Sequence, residues 1–437
     1  MRVSVVGCGY LGAVHAASMA SLGHDVVGVD TDHSKIELLA AGRAPFFEPG
    51  LPELLGEAID SGRLRFTTEL SDIADAQVHF VCVGTPQQAD SYAADLRFVN
   101  AAFSSLPQHV RDDSIVVGKS TVPVGTATRL AAELKAAGSG AVLIWNPEFL
   151  REGFAVEDTL RPDRLVYGLP SAESTAAVAL LDQVNATIVE RGTPRIVTDY
   201  ATAELVKVAA NSFLATKISF INAMAELCEV AGGDVTQLAD AIGMDARIGR
   251  RFLNAGLGFG GGCLPKDIRA FMARAEELHV QPAVNFLKEI DSINTRRRER
   301  MVDLTLGVLG GRPITGARIA VLGAAFKPDS DDVRDSPALD VAERLHARSA
   351  SVVVTDPVAI DNARRKSPHL EYASTPEEAV EGADAVLLLT EWTQYRELDP
   401  DTFGERMQHK RIIDGRNVLD PEQWRGAGWV YRALGRP

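Results

Sequence analysis

The sequence predicts an α/β fold in which two doubly wound parallel-sheet domains are joined by a long central helix. Two regions alternate short β-branched strands with helical stretches, which is the pattern of parallel sheets with crossover helices. Between them, residues 201–231 contain neither proline nor glycine, and their apolar residues recur at helical spacing. This stretch predicts one helix of unusual length, and such a helix normally joins domains or forms a subunit contact.

The first domain is predicted to span residues 1–199. It opens with a β-branched strand at residues 2–6, followed by a glycine turn and an alanine-rich helical stretch. The turn has the GxGxxG spacing of dinucleotide-binding sites, in the order strand, turn and helix that defines a Rossmann-like domain. Its predicted cofactor-binding residues are Gly7, Gly9, Tyr10, Leu11 and Gly12.

A second strand at residues 25–29 ends in Asp30, at the distance where an acidic side chain binds the adenosine ribose hydroxyls. A carboxylate there repels the 2′-phosphate of NADP, so the predicted cofactor is NAD. Lys35 is close in sequence, and we expect it to weaken this discrimination.

Further strands are predicted at residues 78–83, 115–117 and 142–145. The loops 83–86, 119–126 and 146–153 follow them, at the carboxyl ends of strands, where open α/β sheets bind ligands. Ordinary turn chemistry also explains each loop taken alone, so both interpretations stay open for each.

A central domain is predicted at residues 200–305. Its glycine-rich segment 258–267 contains Cys263, followed by Lys266 and Asp267. Glycines allow close approach of a substrate, and a nearby lysine favours the reactive thiolate. The alternative is a small buried hydrophobic cysteine. On the long helix, Lys207 and Asn211 are four residues apart and predict a substrate clamp, with an exposed polar stripe as the alternative.

The third domain, residues 306–437, is predicted to be Rossmann-like again, with strands at 318–323, 351–356, 385–389 and 411–413. Its first turn lacks the full glycine signature. The charged loop 323–337 places Lys327 and Arg334 where they can hold phosphate or cofactor, although charged loops are usually only solvated. Ser336 and Pro337 predict a helix N-cap followed by proline at the first helical position.

Composition excludes several classes of protein. The chain has 437 residues and a formal net charge of −14, which argues against nucleic-acid or anionic-membrane partners. No apolar run is long enough for a membrane span and the N-terminus shows no signal segment, so a cytoplasmic location is expected. The cysteines are scattered without CxxC spacing, which predicts neither disulfides nor a metal site. Cys8, Cys82 and Cys228 are expected to be structural.

Taken together, these motifs resemble the UDP-glucose/GDP-mannose dehydrogenase family over nearly the whole chain, from Gly7 to the segment 414–417. Segments 146–153 and 247–249 are most similar to the UDP-glucose 6-dehydrogenases of that family. Two positions depart from the common pattern. Gly262 stands where many members have serine, and Leu264 stands where many UDP-glucose enzymes have phenylalanine.

The resemblance implies a four-electron oxidation of a nucleotide sugar at C6 that consumes two NAD⁺ and one water and converts UDP-glucose to UDP-glucuronate. A GDP-mannose or UDP-N-acetylmannosamine dehydrogenase is the alternative within the family. The alternative to an enzyme is a noncatalytic sensor of nucleotide sugars. Such a sensor would not need to keep the candidate catalytic residues together, and the chain has all four of them: Cys263, Lys207, Asn211 and Asp267. A cysteine–histidine hydrolase is disfavoured because no motif directs one of the histidines towards Cys263.

The resemblance also implies the site residues. Cys263 would be the nucleophile, Lys207 would stabilise oxyanions, and Asn211 would bind the reacting oxygen. The full predicted catalytic set is Cys263, Lys207, Asn211, Asp267, Glu148 and Thr121. Outside the glycine turn, the cofactor-lining set is Asp30, Lys35, Thr85, Thr121, Glu152, Lys266 and Arg334. The nucleotide-sugar set is Glu148, Phe149, Leu150, Arg151, Glu152, Lys207, Asn211, Arg247, Phe252, Leu253, Asn254, Ala255, Gly256, Gly260 and Lys327. Arg247 would reach across the interface of a homodimer or higher homo-oligomer.

Overall fold

A computed structural model describes residues 1–170 and 174–437, which form two compact units. The first unit contains residues 1–210 with 276–278, and the second contains residues 211–275 with 279–437. The three-domain division expected from the sequence is finer than these two units, and its boundaries stay a prediction.

The first unit is built on a sheet whose strands follow the order β3-β2-β1-β4-β5-β6-β7-β8. Neighbouring strands are parallel, except that β7 runs antiparallel to β6. The strands are β1 Arg2–Val6, β2 Asp25–Val29, β3 Leu64–Thr67, β4 Val78–Val81, β5 Ile115–Gly118, β6 Val142–Trp145, β7 Leu165–Leu169 and β8 Arg195–Asp199. The order reverses between β1 and β4, so the sheet is doubly wound as predicted.

Helices cover the faces of this sheet, and the central strands are buried along their length, as expected of a parallel sheet covered on both sides. The helices of this unit are α1 Tyr10–Ser21, α2 His33–Ala40, α3 Leu51–Asp60, α4 Arg97–Ser105, α5 Thr126–Ala136, α6 Ala155–Leu160, α7 Thr175–Val184 and α8 Ala186–Glu190. Strands β3, β7 and β8 were not expected from the sequence, nor was the antiparallel pairing of β7.

The long helix, α9, runs from Tyr200 to Ala231 and confirms the prediction of one uninterrupted helix. It is followed in the second unit by α10 Val235–Gly243, α11 Leu264–Glu277 and α12 Phe286–Val308. These helices pack around two small apolar clusters that do not belong to either sheet. The cysteine loop lies in this helical region, immediately before α11.

The second unit contains a fully parallel sheet with the order β11-β10-β9-β12-β13-β14. Its strands are β9 Arg318–Leu322, β10 Ser351–Thr355, β11 Glu371–Tyr372, β12 Ala385–Leu388, β13 Arg411–Asp414 and β14 Val430–Ala433. Its helices are α13 Pro337–His346, α14 Ile360–Lys366, α15 Pro376–Ala379, α16 Thr393–Arg396, α17 Pro400–Phe403 and α18 Pro421–Gly426. The Ser336 side chain caps α13 by accepting from the Leu339 N–H, and Pro337 occupies the first helical position, as predicted.

Candidate active site

The predicted dinucleotide turn lies at the carboxyl end of β1, where the strand order of the first sheet reverses. Gly7 has a φ of 89°, and a Cβ at Gly12 would lie 1.8 Å from the Gly7 carbonyl oxygen. A Cβ at Gly9 would meet no described atom within 4 Å, and α1 begins directly after Gly9. The turn therefore leaves space in front of the N–H groups of a helix N-terminus, where a pyrophosphate binds.

Asp30 follows β2 beside this turn. Its Oδ2 accepts hydrogen bonds at 2.8 Å from the Cys8 backbone N–H and at 2.8 Å from Lys35 Nζ. Its Oδ1 accepts from the Asp32 N–H at 3.1 Å. A carboxylate has about four lone-pair positions, so Asp30 retains room for ribose hydroxyls. The glycine turn and Asp30 fit NAD, while Lys35 offsets part of the charge that repels a 2′-phosphate.

Two predicted loops meet at the carboxyl edge of the same sheet. The Thr85 hydroxyl donates to the Thr121 carbonyl oxygen at 2.8 Å, and the Ser120 hydroxyl donates to the Val83 carbonyl oxygen at 2.6 Å. These bonds hold together the loops that follow β4 and β5. The structure thus places Thr85 and Thr121 side by side, and their cofactor-lining role stays a prediction.

Glu148 and Lys207 form a buried ion pair in the first unit. Lys207 Nζ lies 3.1 Å from Glu148 Oε1, and both side chains are largely buried. Glu148 Oε2 also accepts from the Leu150 N–H at 2.6 Å, which shapes the loop after β6. The Phe149 ring lies between two cations, with Lys207 Nζ 5.6 Å and Arg164 Cζ 3.8 Å from its centroid. These contacts bring together Glu148, Phe149, Leu150 and Lys207 from the predicted substrate set.

Arg151 is directed elsewhere within the same loop. Its guanidinium forks onto Asp158 of α6 at 2.6 and 2.9 Å and lies 5.1 Å from the centre of the Phe154 ring. The Asp158 carboxylate raises the pKa of Arg151, so the guanidinium stays charged. Arg151 therefore braces the loop against α6, while Glu152 next to it is partly exposed.

Three buried residues that support these loops received no role from the sequence. Lys119 Nζ donates to Asn146 Oδ1 at 3.0 Å, and burial lowers the pKa of Lys119. Glu204, one turn before Lys207 on α9, accepts from the N–H groups at Gly125 and Ala127, both at 2.7 Å, and so caps α5. The third is Glu48, which contacts the loop 146–153. Long sequence separation hides all three contacts, because no local spacing signals them.

In the second unit, the cysteine loop is tightly folded. Gly258 and Gly261 have φ values of 95° and 82°, which other residues rarely adopt. Asn294 of α12 holds the loop from one side, accepting from the Phe259 N–H at 2.7 Å and donating to its carbonyl oxygen at 2.9 Å. A Cβ at Gly260 would lie 2.2 Å from the Asp335 carbonyl oxygen, so the predicted substrate-binding Gly260 is also a close-packing position.

Cys263 is exposed at the end of this loop, whereas Cys8, Cys82 and Cys228 are buried. The Asp267 N–H donates to the Cys263 carbonyl oxygen at 2.9 Å, so Cys263 stands at the N-terminus of α11. A helix N-terminus stabilises negative charge and therefore favours a thiolate. Burial acts in the opposite sense on the other three thiols and raises the pKa of Cys82 to about 12. Only Cys263 combines exposure with an electropositive setting.

Asp267, one turn into α11, is buried and bonded at both oxygens. Asn211 Nδ2 donates to Oδ2 at 2.6 Å, and Lys266 Nζ donates to Oδ1 at 2.5 Å. The structure thus brings together three predicted site residues from two helices. Fixed at both oxygens, the Asp267 carboxylate orients the Asn211 amide and the Lys266 ammonium.

The predicted sugar-binding loop 252–256 is anchored from several sides. Its Gly256 N–H donates to Asn222 Oδ1 of α9 at 2.8 Å, and its Ala255 carbonyl accepts from Asn417 Nδ2 at 3.0 Å. Arg250 bonds the Asn254 side chain at 2.7 Å. Leu253 and Ala255 are buried and Phe252 has a positive φ of 66°, so this loop offers mainly backbone groups to a ligand.

Arg334, Lys327 and Arg247 complete the predicted set. Arg334 forks onto Asp332 at 2.6 to 2.9 Å, and its guanidinium carbon would lie 2.4 Å from a Cβ at Gly262, so serine at that position would displace it. The Lys327 ammonium lies 5.5 Å from the centre of the neighbouring Phe326 ring. The Arg247 side chain is 88% exposed and forks onto Asp245.

Two kinds of feature are absent from the described residues, 1–170 and 174–437. Within these residues, no group of three or more His, Cys, Asp and Glu side chains is placed to hold a metal ion. In the same part of the chain, no helix has the length and apolarity needed to cross a membrane.

A glycine turn with Asp30 beside it and an exposed cysteine at a helix N-terminus are the features of an NAD-dependent oxidoreductase. The chain belongs to the UDP-glucose/GDP-mannose dehydrogenase family. The NAD-binding domain of that family matches residues 1–206, its central domain matches residues 201–296, and its UDP-binding domain matches residues 320–421. The resemblance drawn from the motifs is therefore confirmed, and the substrate class is a nucleotide sugar.

Relatives of the whole chain carry more specific names. A UDP-glucose 6-dehydrogenase of Rhizobium meliloti is 40% identical over 100% of both chains, and one of Bacillus subtilis is 40% identical over 100% of this chain and 98% of its own. The structure of a UDP-glucose dehydrogenase from Pyrobaculum islandicum superposes with a TM-score of 0.90 at 39% identity, covering 100% and 98% of the two chains. A UDP-D-ManNAc dehydrogenase from Pyrococcus horikoshii superposes with a TM-score of 0.87 at 28% identity, covering 100% and 99%.

Proposed function

We propose that this chain oxidises the C6 alcohol of UDP-glucose to a carboxylate, converting UDP-glucose, two NAD⁺ and water to UDP-glucuronate and two NADH. The observation that carries the proposal is the exposed Cys263 at the N-terminus of α11, in a chain that also has an NAD-binding turn. An alcohol dehydrogenase that stops at the aldehyde needs no nucleophile. A second oxidation needs one, because the aldehyde must be held as an adduct that can lose a hydride.

When bound, NAD⁺ supplies a hydride acceptor for each of the two oxidations. The Cys263 thiolate adds to the C6 aldehyde and gives a thiohemiacetal, whose hydride loss leaves a thioester on sulfur. Water cleaves this thioester, releasing the C6 carboxylate and regenerating the thiol. Each adduct stays covalently attached to the protein, so the aldehyde is not lost between the two oxidations.

The remaining catalytic residues act on protons and developing charge. The Lys207 ammonium stabilises the oxyanion and assists proton transfer to and from the reacting oxygen. Its ion pair with Glu148 keeps the ammonium oriented. Glu148 and Thr121 assist hydrolysis of the thioester. Asn211 binds the reacting oxygen with its amide, which Asp267 holds in place, and Asp267 positions the water.

Sequence identity supports UDP-glucose over other nucleotide sugars. The UDP-glucose dehydrogenases named above share 39 to 40% identity with this chain. A UDP-D-ManNAc dehydrogenase shares 28%, and a GDP-mannose dehydrogenase from Pseudomonas aeruginosa shares 28% with a TM-score of only 0.54. The two alternative substrates and the noncatalytic sensor are therefore not favoured.

An assay of NADH formation against a panel of nucleotide sugars tests the substrate. We expect UDP-glucose to give the highest kcat/KM and two NADH per sugar consumed. A preference for GDP-mannose or UDP-N-acetylmannosamine would move the chain to another branch of the family. A yield of one NADH per sugar would mean that oxidation stops at the aldehyde, and it would contradict the thioester mechanism.

We also propose that the chain forms a homodimer through α9. Phe213, Phe220 and Leu227 are spaced by seven residues along one side of this helix, and their side chains are 66%, 46% and 60% exposed. An aromatic and aliphatic stripe of this kind is costly to leave in water, and a two-fold contact with a second copy would cover it.

In such a dimer, Arg247 would reach the sugar site of the partner. Its side chain projects into solvent and is anchored by the nearby Asp245. Mixing an Arg247→Ala variant with a Cys263→Ser variant should restore about a quarter of the sites, because each mixed dimer regains one site with both groups. Absence of rescue despite proven subunit exchange, or a fully active monomer, would rule out the shared site.

A reducing compartment, the cytoplasm, is proposed as the location. The mechanism requires Cys263 as a thiol, and the buried Cys8, Cys82 and Cys228 are thiols as well. Thiols persist where glutathione and thioredoxin keep them reduced. Fractionation of the native host cells, followed by immunoblotting, tests this location.

A further inference from the structure

Glu48 is a buried carboxylate that joins the dinucleotide turn to the loop 146–153 within the first unit. It precedes α3, and only 2% of its surface is exposed. Its Oε2 accepts from the Gly153 N–H and its Oε1 from the Ala155 N–H, both at 2.6 Å. The Tyr10 hydroxyl donates to Oε2, and the Gly153 N–H also lies 3.2 Å from the Tyr10 oxygen.

These contacts make a rigid connection. A buried carboxylate that loses a donor bears a desolvation cost that water does not repay. The Tyr10 ring packs against Phe46 at 4.8 Å between centroids, so the phenol has little freedom to follow Glu48 by itself. A displacement of either the turn or the loop therefore breaks hydrogen bonds at Glu48, and the two segments keep a fixed separation.

The two ends of this connection are the two proposed binding regions. Tyr10 is the first residue of α1, whose N-terminus faces the position of the pyrophosphate. The loop at the other end carries Glu148, paired with Lys207. We infer that Glu48 is a positioning residue that couples the two regions, so that NAD⁺ and the nucleotide sugar each strengthen binding of the other. This inference rests on the proposed function.

A purely structural role for Glu48 is the competing explanation, because its carboxylate also accepts from N–H groups at the N-terminus of α6. Tyr10→Phe separates the two explanations. It removes the hydroxyl that links the turn to Glu48 and leaves both backbone hydrogen bonds of the carboxylate in place. Tyr167→Phe is the matched control, because it removes another buried hydroxyl of the same unit, one whose hydrogen-bond partner is Asn185 rather than Glu48.

Calorimetric titration of NAD⁺, with and without saturating UDP-glucuronate, measures the coupling without turnover. We expect UDP-glucuronate to tighten NAD⁺ binding to the native chain and to the Tyr167→Phe variant by about tenfold, within the usual range for coupled sites. In Tyr10→Phe and Glu48→Gln, the factor should fall to about one, whatever change in the NAD⁺ affinity measured alone accompanies it, because the coupling factor is the ratio of the two affinities of the same variant.

Unchanged coupling in Tyr10→Phe would overturn the inference, as would equal loss of coupling in Tyr167→Phe or no coupling in the native chain. Because Tyr10→Phe leaves each oxygen of the buried carboxylate with a backbone N–H donor, the test stands even if Glu48→Gln does not fold. Failure of the native chain to bind either ligand would instead contradict the proposed function, so the two failures are distinguishable.

Discussion

The first six strands of the first sheet share the topology of the six-stranded second sheet, but the two sheets differ in the carboxylate that follows their second strand. In the first sheet this is Asp30 after β2, and in the second it is Asp356 after β10. Each sheet reverses its strand order at the first strand, and each first strand is followed by a glycine with positive φ, Gly7 at 89° and Gly323 at 110°. By backbone alone, both sheets could bind a dinucleotide.

The hydrogen bonds of the two carboxylates distinguish the two sheets. Asp356 is buried and accepts from five donors, among them the Ala324 N–H at 2.8 Å, the Ala359 N–H at 2.9 Å and Trp392 Nε1 at 3.2 Å. Asp30 keeps part of its surface exposed and accepts from three donors. An acidic residue at this position therefore marks a ribose site only when the protein itself leaves lone pairs of the carboxylate available.

The first prediction concerns Cys263 of the second unit, whose loss should affect turnover but not NAD⁺ binding. Cys263→Ser should lower complete turnover by at least about 10³-fold, because a hydroxyl is a far weaker nucleophile than a thiolate at neutral pH. NAD⁺ binding should be unchanged, since the cofactor turn belongs to the first unit. Steady-state kinetics and calorimetry on the same preparation check both statements. A normal yield of two NADH per sugar from the Cys263→Ser variant would contradict the assignment of Cys263 as the nucleophile.

The second prediction concerns the open space at the first turn. Gly9→Ala should raise the Kd for NAD⁺ by about 100-fold, because its methyl group would occupy the pyrophosphate position, and small misplacements of bound groups have effects of this size. The melting temperature should not change, because a Cβ at Gly9 meets no described atom.

Gly12→Ala is the contrasting variant of the same turn, since its Cβ would clash with the Gly7 carbonyl and destabilise the first unit. If Gly9→Ala bound NAD⁺ normally, the pyrophosphate would have to lie elsewhere.

The third prediction exchanges the roles of the two carboxylates. Asp356→Asn should lower the free energy of unfolding by about 3 kcal/mol, because its amide NH₂ would face backbone donors in a buried site. NAD⁺ affinity should be retained. Asp30→Ala should do the reverse, raising the KM for NAD⁺ about tenfold and narrowing the preference for NAD⁺ over NADP⁺.

Thermal melts and kinetics with both cofactors distinguish these outcomes. Equal use of NADP⁺ by the native chain would contradict the role of Asp30, and the Lys35–Asp30 pair at 2.8 Å would then be the reason.

The smallest expected effect is a difference in acid stability. Burial lowers the pKa of His79 to about 4 and also lowers the pKa values of His15 and His24, all in the first unit. Between pH 6.5 and about 4, the unfolded first unit binds protons at His79 that the folded unit does not, so stability falls as the pH falls through this window. At pH 5, His79 alone accounts for about 2 kcal/mol.

Hydrogen exchange by mass spectrometry at pH 7 and pH 5, corrected for intrinsic rates, measures this effect. Peptides from residues 1–210 should lose protection, and those from the second unit should lose less, because His279, His346 and His369 there are exposed. His79→Asn should flatten the pH dependence. A greater loss in the second unit would contradict the prediction.

Much of the fold could be predicted because its signals are local. The glycine turn, Asp30, the strands at residues 2–6 and 25–29 and the 32-residue helix α9 follow from spacing along the chain. Strands β7 and β8 were not predicted from the sequence. β8 is an exposed edge strand, so no buried face imposes a recognisable alternation of apolar and polar residues on its sequence. The antiparallel pairing of β7 depends on chain direction, which short strands do not reveal.

Spacing along the chain was enough to identify the groups available for chemistry, which are a dinucleotide turn, a cysteine on a glycine-rich loop, and Lys207 and Asn211 one helical turn apart. The tertiary structure decided their partners, pairing Lys207 with Glu148 and Asn211 with Asp267. It also decided that Asp30 retains accessible lone pairs while those of Asp356 are taken up internally. The physical reason is that backbone conformation follows from local sequence, whereas the burial and hydrogen-bond satisfaction of a polar group depend on donors brought close only by folding.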